Sequence, residues 1–162
     1  MLSLAELTAR TAHTGSVVWL GIRPGRHAEV RSLPSVWIGP GGLQGDHRAR
    51  PGKRAVSLIQ AEHLTVISAL SGAPEVTFEM LRRNIAVSGL NLAAMRGRSV
   101  RIGTCELSIA GICAPCSRME SALGHGGYTA VRGHGGMVAE VSVPGLIRQG
   151  DTVVPLDTQA LS

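Results

Sequence analysis

The chain contains 162 residues, 44% hydrophobic and only 2% aromatic, with a formal net charge of +5. It has no run of about eighteen apolar residues, and residues 1–14 carry no basic leader before an apolar stretch, so we expect neither a membrane-spanning helix nor a secretory signal. Its three cysteines, an odd number, argue against a disulfide framework and for a reducing, cytoplasmic location.

Fifteen arginines and one lysine, Lys53, provide the positive charge. The sequence has no basic helix and almost no aromatic side chains to stack on bases, so we expect no nucleic-acid or membrane partner. Because a planar guanidinium pairs with phosphate through two hydrogen bonds, a small anionic ligand explains the many arginines better than nucleic acid does. The single lysine lies in a basic loop, so no covalently bound pyridoxal phosphate is expected.

The first half of the chain predicts short strands joined by glycine and proline turns. Residues 1–14 form a short amphipathic helix or a loose terminus, and residues 15–157 form one domain. Strands are predicted at 15–22, at 29–38 with an interruption or a bend at Pro34, at 55–59 and at 84–88, and helices near 60–70 and 77–83.

A basic loop follows the second predicted strand. Residues 48–54 combine four cations with a proline and a glycine. Such a segment is a candidate lid over an anionic ligand, which Arg48, Arg50 and Lys53 would contact.

The second half of the chain contains the clearest hairpin, with strands at 99–102 and 105–109 around a Gly103-Thr104 turn. A helix is predicted at 117–123, strands at 138–143 and 151–154, and a turn-rich connection between those two strands. Many short strands with few helices indicate a mainly β fold, either a barrel or a sandwich with helical insertions.

Cys116 is the candidate reactive residue. The strand ends before Ala114-Pro115, and the helix that begins at Ser117 ends at Gly124. A helix N-terminus and the nearby Arg118 both favour a thiolate, so we expect Cys116 to be exposed and nucleophilic.

The other cysteines leave alternatives open. Cys105 alternates within a strand and is expected to be a small buried hydrophobe. Cys113 is either part of the core at a strand end or a second thiol beside Cys116, as in a C-x-x-C dithiol. A zinc site of Cys113, Cys116, His125 and His134 is a further alternative, although its spacing matches no common structural zinc pattern.

Six ordered segments carry a resemblance to a known family. They are GLQGDHRA (43–50), RAVSLIQAEHL (54–64), LRRNIAVSGLNL (81–92), IGTCELSIAGICAPCSRME (102–120), GGYTAVRGHGGMVAEV (126–141) and LIRQGDTV (146–153). Together they resemble a stand-alone MOSC domain, the family named for the C-terminal domain of molybdenum-cofactor sulfurases. The resemblance covers roughly residues 40 to 155, and its most specific part is Pro115-Cys116 followed by Gly-Tyr and Arg-Gly-His-Gly-Gly.

The resemblance implies a closed, mostly antiparallel β-barrel of the pyruvate-kinase-barrel type and a molybdenum cofactor (molybdopterin). It implies that Cys116 is either a ligand to molybdenum or a persulfide carrier, roles that both need a soft, exposed thiolate. Arg82 and Asn84 match the family's Arg-x-Asn pair, although Arg83 stands where an acidic residue is common. The full set of cofactor-binding candidates is Asp46, His47, Arg82, Asn84, Arg118, Arg132, His134, Gly135 and Gly136.

The function implied is cofactor binding or sulfur transfer, with reduction of N-hydroxylated compounds as the implied activity if the protein is an enzyme. The sequence has no plant-type ferredoxin spacing and no flavin or nicotinamide fingerprint, so a separate electron-donor or sulfur-donor protein is expected as partner. Two alternatives remain, a non-catalytic module that delivers cofactor or sulfur, and a structural zinc-binding protein.

Overall fold

The computed structural model describes residues 1–156, which form eleven strands and five short α-helices. The strands are β1 Gly15–Ile22, β2 Arg31–Ser32, β3 Ser35–Gly39, β4 Gly42–Leu43, β5 Val56–Gln60, β6 Ile85–Ser88, β7 Ser99–Ile102, β8 Cys105–Ile112, β9 Met137–Val143, β10 Gly145–Arg148 and β11 Thr152–Pro155. The helices are α1 Leu4–Thr8, α2 His63–Ser71, α3 Phe78–Leu81, α4 Ser117–Leu123 and α5 Gly127–Val131, with a 3₁₀ turn at Leu92–Met95.

Seven of the strands close into a barrel. Their order is β1, β6, β5, β9, β8, β7 and β11, and β11 pairs again with β1, where Gly15 lies opposite Val153. Every neighbouring pair is antiparallel except β5 and β6. That pair is parallel because the crossover containing α2 and α3 returns the chain to the same end of the sheet. The predicted closed, mostly antiparallel barrel is therefore confirmed.

The apolar residues form two clusters. One fills the barrel with the inward-facing aliphatic side chains of its strands, including Leu20, Leu58 and Ile102, all fully buried. The other lies between the barrel wall and α2 to α4, where Trp19 stacks on Phe78 with ring centroids 5.5 Å apart. With so few aromatics, close-packed Val, Ile and Leu supply most of the hydrophobic stabilisation. The second cluster fixes the helices against one side of the barrel.

Several predicted elements differ from the structure. Of the two alternatives at Pro34, the structure has the interruption and not the bend: Pro34 separates β2, which pairs with β1, from β3, which pairs with β10 and β4. The connection at 144–150 contains β10, which was not predicted because it is short and lies between Pro144 and Gly150. Helix α5 was also missed, since Gly126 and Gly127 read as a turn.

Gly127 shows why a glycine begins this helix. A Cβ at this position would lie 2.6 Å from the carbonyl oxygen of Met119 and from the Cβ of Leu123. Helices α4 and α5 therefore pack more closely than any larger residue would allow.

The chain ends are described only in part. Helix α1 begins with a capping box between Ser3 and Glu6 and buries none of its residues. The predicted domain end at residue 157 lies outside the described residues. Between residues 1 and 156, no helix is long and apolar enough to cross a membrane.

Candidate functional site

Cys116 is exposed at the turn that leads from the barrel into the helical layer. Strand β8 ends at Ile112, and the backbone N–H of Cys113 donates to the carbonyl oxygen of Gly136 over 2.9 Å. Cys113 is consequently buried, whereas Cys116, which immediately precedes α4, presents its thiol to solvent. The expected exposure of Cys116 is present in the structure, and of the two alternatives for Cys113 the structure has the buried position at the end of a strand.

Cys116 lines a pocket of about 180 Å³ that is otherwise almost entirely cationic. The remaining lining residues are Arg23, Arg26, His47, Arg82, Arg83 and Arg118. They come from four separate parts of the sequence, namely the turn after β1, the loop before β5, the residues after α3, and the start of α4. The arrangement places a soft thiol among hydrogen-bond donors that suit phosphate and other oxyanions.

Arg82 has the only positive φ among the described non-glycine residues, with φ 57° and ψ 30°. Its guanidinium donates to the carbonyl oxygen of Ala28 over 2.7 Å and to that of Arg26 over 3.3 Å. A left-handed backbone costs free energy in a residue with a Cβ, and such conformations cluster at functional sites. The strain turns Arg82 toward the loop after β1 and so joins that loop to the pocket.

Arg118 also lines the pocket. Its Nη2 donates to Nδ1 of His27 over 2.7 Å on the protein surface. Both Arg82 and Arg118 therefore bond to the loop after β1. These hydrogen bonds fix the loop after β1, whose Arg23 and Arg26 line the pocket.

The charges around the pocket are largely uncompensated. In residues 1–156 the one salt bridge joins Arg23 to Asp46, with 3.2 Å between Nη2 and Oδ1. Burial lowers the pKa of His47, as does the positive charge of Arg23, Arg82 and Arg118, against the opposing effect of Asp46. Burial and the same neighbouring cations also lower the pKa of Arg82. A bound anion would relieve this repulsion.

Asp46 and Asn84 form a buried network beneath the pocket. Nδ2 of Asn84 donates to Oδ2 of Asp46 over 2.9 Å and to the carbonyl oxygen of Gly21 over 3.1 Å. Oδ1 of Asn84 accepts from the backbone and hydroxyl of Ser57. Neither Asp46 nor Asn84 is among the residues that line the pocket. Their contacts fit the positioning of Arg23 rather than direct ligand contact.

Arg83 is a buried cation that connects two loops. Its Nε donates to the carbonyl oxygen of Gly135 over 2.8 Å, its Nη1 to that of Leu81 and its Nη2 to that of Ala114, both over 3.2 Å. An acidic residue at this position has no hydrogen to donate to those carbonyls. Where the family commonly has an acidic residue, Arg83 instead ties the segment that carries Cys116 to the loop at 133–136.

Arg132 lies on the other side of the Cys116 segment. It lines an open pocket of about 870 Å³ together with Ile112, Ala114, Pro115, Tyr128, Thr129 and Gly133. Ile112 and Tyr128 are exposed there, at 59% and 42%. Arg132 is therefore not brought together with Arg82 and Arg118.

His134 also lies away from the cationic pocket. Its ring meets that of His63 edge-on, with centroids 5.1 Å apart, and Nδ1 of each ring is buried without a hydrogen-bond partner among residues 1–156. Burial lowers the pKa of His63, and the charge of His134 acts in the same direction. The prediction from sequence proximity did not foresee this contact with α2.

Gly135 and Gly136 have packing roles that are visible in the structure. A Cβ on Gly136, at φ 89°, would collide with the carbonyl oxygen of Leu58. A Cβ on Gly135 would come within 2.8 Å of the carbonyl oxygen of Cys113. Close approach of the 133–136 loop to β5 and β8 requires both glycines.

The cysteines other than Cys116 are core residues. Cys105 is fully buried, and burial together with the charge of Glu106 raises the pKa of its thiol to about 12. Within residues 1–156 no group of three or more His, Cys, Asp or Glu side chains is arranged to hold a metal ion. Cys113, Cys116, His125 and His134 therefore do not form the four-ligand cluster of the zinc alternative.

Sequence reasoning missed Arg23, Arg26 and His27 as site residues. The available signal was the Arg-Pro-Gly-Arg turn directly after a strongly buried strand, where polar side chains emerge from the barrel. Nothing in the local pattern linked that turn to Cys116, because barrel closure brings them together.

A comparison with protein families matches the MOSC domain family over residues 9–154. No curated protein sequence matches the chain significantly.

Solved structures with the same fold include the YuaD protein from Bacillus subtilis, with a TM-score of 0.77 and 22% identity over 87% of this chain and 94% of that one. YiiM from Geobacillus stearothermophilus has a TM-score of 0.71 and 18% identity over 91% and 79% of the two chains. YiiM from Escherichia coli has a TM-score of 0.68 and 15% identity over 88% and 70%. At such identities the likeness concerns the fold alone.

Proposed function

The chain belongs to the MOSC domain family, a family associated with binding of the molybdenum cofactor, and from this we propose that it binds that cofactor in the cationic pocket beside Cys116. The observation that carries the proposal is the position of an exposed thiol in a pocket whose other lining side chains are five arginines and one histidine.

The donor set suits the cofactor's two chemical demands. Molybdenum accepts a soft thiolate, which Cys116 is placed to provide. The pterin's phosphate needs several cationic donors, for which Arg82 and Arg118 are available on the pocket walls. The buried Nε of Arg48, in the adjoining loop, has no hydrogen-bond partner among the described residues, and such a donor is expected to find one in a ligand.

Each residue then has a distinct role in the proposal. Cys116 binds the metal, Arg82 and Arg118 bind anionic oxygens, and Arg23 is oriented by Asp46. Arg83 positions the Cys116 segment through its bonds to Ala114 and Gly135. Bound there, the cofactor would supply two-electron redox chemistry at a site open to solvent.

Cofactor binding accounts for more of the pocket than sulfur transfer does. A persulfide carrier needs an exposed thiolate, and it has no need of five guanidinium groups around that thiolate. We therefore place the carrier role second. For the activity we propose reduction of N-hydroxylated compounds, with electrons delivered by a separate donor protein.

Metal and pterin analysis tests the proposal directly. The protein is produced in cells that synthesise the cofactor, purified, and assayed for molybdenum per chain and for the fluorescence of the oxidised pterin. Wild-type protein is expected to retain molybdenum close to one equivalent, and Cys116→Ser is expected to lose it because oxygen is a harder ligand than sulfur.

The matched control is Cys113→Ser, which changes the same atom three residues away in a buried position. Its molybdenum content per folded chain is expected to stay at the wild-type level. Molybdenum and pterin absent from wild-type protein, or retained equally by Cys116→Ser, would contradict the proposal.

A further inference from the structure

A second cationic pocket adjoins the one beside Cys116. It measures about 410 Å³ and is lined by Arg23, His47, Arg48, Ala49 and Arg50. Arg23 and His47 belong to both pockets, so the two form one trough that runs from Cys116 to the loop after His47. The 180 Å³ pocket alone is smaller than the roughly 300–1,000 Å³ of ordinary small-molecule sites, whereas the trough falls within that range.

The loop that forms the far end of the trough is fixed in place. The backbone N–H of Arg48 donates to Oδ1 of Asp46 over 2.9 Å. A Cβ on Gly41 would lie 2.9 Å from the carbonyl carbon of Ala49, and one on Gly42, at φ 116°, would collide with the carbonyl oxygen of Ala55. The two glycines thus seat the loop against β4, which is unlike the flexible lid predicted from the sequence. Lys53 is not among the residues that line this pocket.

The charge of the trough exceeds what one phosphate would balance. Arg23 is the only one of its arginines with a carboxylate partner in residues 1–156. The arginines without a carboxylate partner there are Arg26, Arg48, Arg50, Arg82, Arg83 and Arg118. A phosphate monoester carries only about two negative charges near neutral pH. The Nε of Arg48 is buried and has no partner within residues 1–156, which points to a ligand at this end as well.

We propose that the Arg48–Arg50 pocket is a second anion subsite, and that the ligand is a diphosphate ester rather than a monophosphate. One phosphoryl group lies near Arg82 and Arg118, and the second lies between Arg23, Arg48 and Arg50. The proposal rests on the proposed function for the assignment of the Cys116 end, whereas the second subsite is defined by the arginines of the far end.

Calorimetric titration of the full-length protein with inorganic phosphate and with inorganic pyrophosphate, in the presence of a chelator, tests the proposal. Pyrophosphate is expected to bind at least about ten-fold tighter than phosphate, and the difference should shrink at high salt because the contacts are electrostatic. In the double variant Arg48→Ala/Arg50→Ala, pyrophosphate affinity should fall about ten-fold while phosphate affinity changes less than about three-fold.

The control is the double variant Arg96→Ala/Arg101→Ala, which removes the same charge from two exposed positions outside the trough. Its pyrophosphate affinity is expected to match that of wild-type protein. Equal affinity for phosphate and pyrophosphate, or equal loss in both double variants, would overturn the proposal. Tighter binding of a short single-stranded oligonucleotide, lost on replacing Arg48 and Arg50, would overturn it in favour of nucleic acid.

The outcome is separable from that of the proposed function. Molybdenum retention that depends on Cys116, without a preference for pyrophosphate, would overturn the second subsite alone. A pyrophosphate preference lost in Arg48→Ala/Arg50→Ala, in protein that retains no molybdenum, would support the subsite and contradict the cofactor.

Discussion

Arg83 offers a sharp test of how the site is held together. Replacing it with methionine keeps much of the length and apolar stem but removes all three donors. Two of the carbonyls that it satisfies belong to the buried residues Leu81 and Gly135. An unsatisfied buried acceptor costs about 1–3 kcal/mol, so the two cost about 2–6 kcal/mol together. Removing the buried guanidinium also removes its desolvation cost, which offsets part of this loss.

We therefore expect Arg83→Met to lower the free energy of unfolding by about 2–4 kcal/mol. The alkylation rate of Cys116 should also change in the folded protein, because Ala114 loses its tether. Guanidinium chloride unfolding gives the first quantity, and peptide mass spectrometry after brief alkylation gives the second. Arg96→Met, at an exposed position, is the control and should stay within about 0.5 kcal/mol of wild type.

Arg83→Lys separates the role of the positive charge from that of the three guanidinium hydrogen bonds. A lysine keeps the charge, but its single ammonium cannot reach three carbonyls in the way that a planar guanidinium does. It should recover only part of the lost stability and should leave the alkylation rate altered. Wild-type stability and an unchanged alkylation rate in Arg83→Met would refute the tethering role.

The remaining predictions concern single residues at and below the site. Cys105→Ser should destabilise the fold by about 1–3 kcal/mol by burying an unpaired hydroxyl, and Cys105 should alkylate far more slowly than Cys116 at neutral pH; faster reaction of Cys105 would contradict its place in the core. Gly136→Ala should cost more than about 3 kcal/mol or prevent folding, since its Cβ meets backbone at positive φ; wild-type melting behaviour would show that the loop can move. Burial tends to raise the pKa of Asp46, but hydrogen bonds and charge from Arg23 and Arg48 outweigh it and hold that pKa below its ordinary value. The stability this gives is present above the unfolded pKa of about 3.9 and is lost as pH falls through the folded value. The free energy of unfolding of Asp46→Asn should therefore fall less than that of wild type as the pH is lowered below about 4. An equal fall in both proteins would exclude Asp46 as the source of the wild-type loss.

The sequence by itself determined the local elements and the place of Cys116. Strands β1 and β7 begin and end at the predicted residues. In β7 the reason is the apolar residue at every second position, and in β1 it is a short apolar run bounded by turn residues. The break at Ala114-Pro115 and the helix beginning at Ser117 expose Cys116, and both follow from backbone preferences of nearby residues. Such features depend on neighbours in the chain, so they can be read without the fold.

Strand pairing within the barrel decided which distant residues meet Cys116. The arginines after β1 reach it because β1 pairs with β6, and β6 leads back through Arg82 to the helical layer. The tertiary structure also separates Arg132 and His134 from the pocket beside Cys116, although they follow Cys116 closely in sequence. Contacts between distant segments depend on strand order and register, and periodicity within one strand does not specify its partner. The tertiary structure therefore adds the turn after β1, with Arg23 and Arg26, to site residues that the sequence had already suggested.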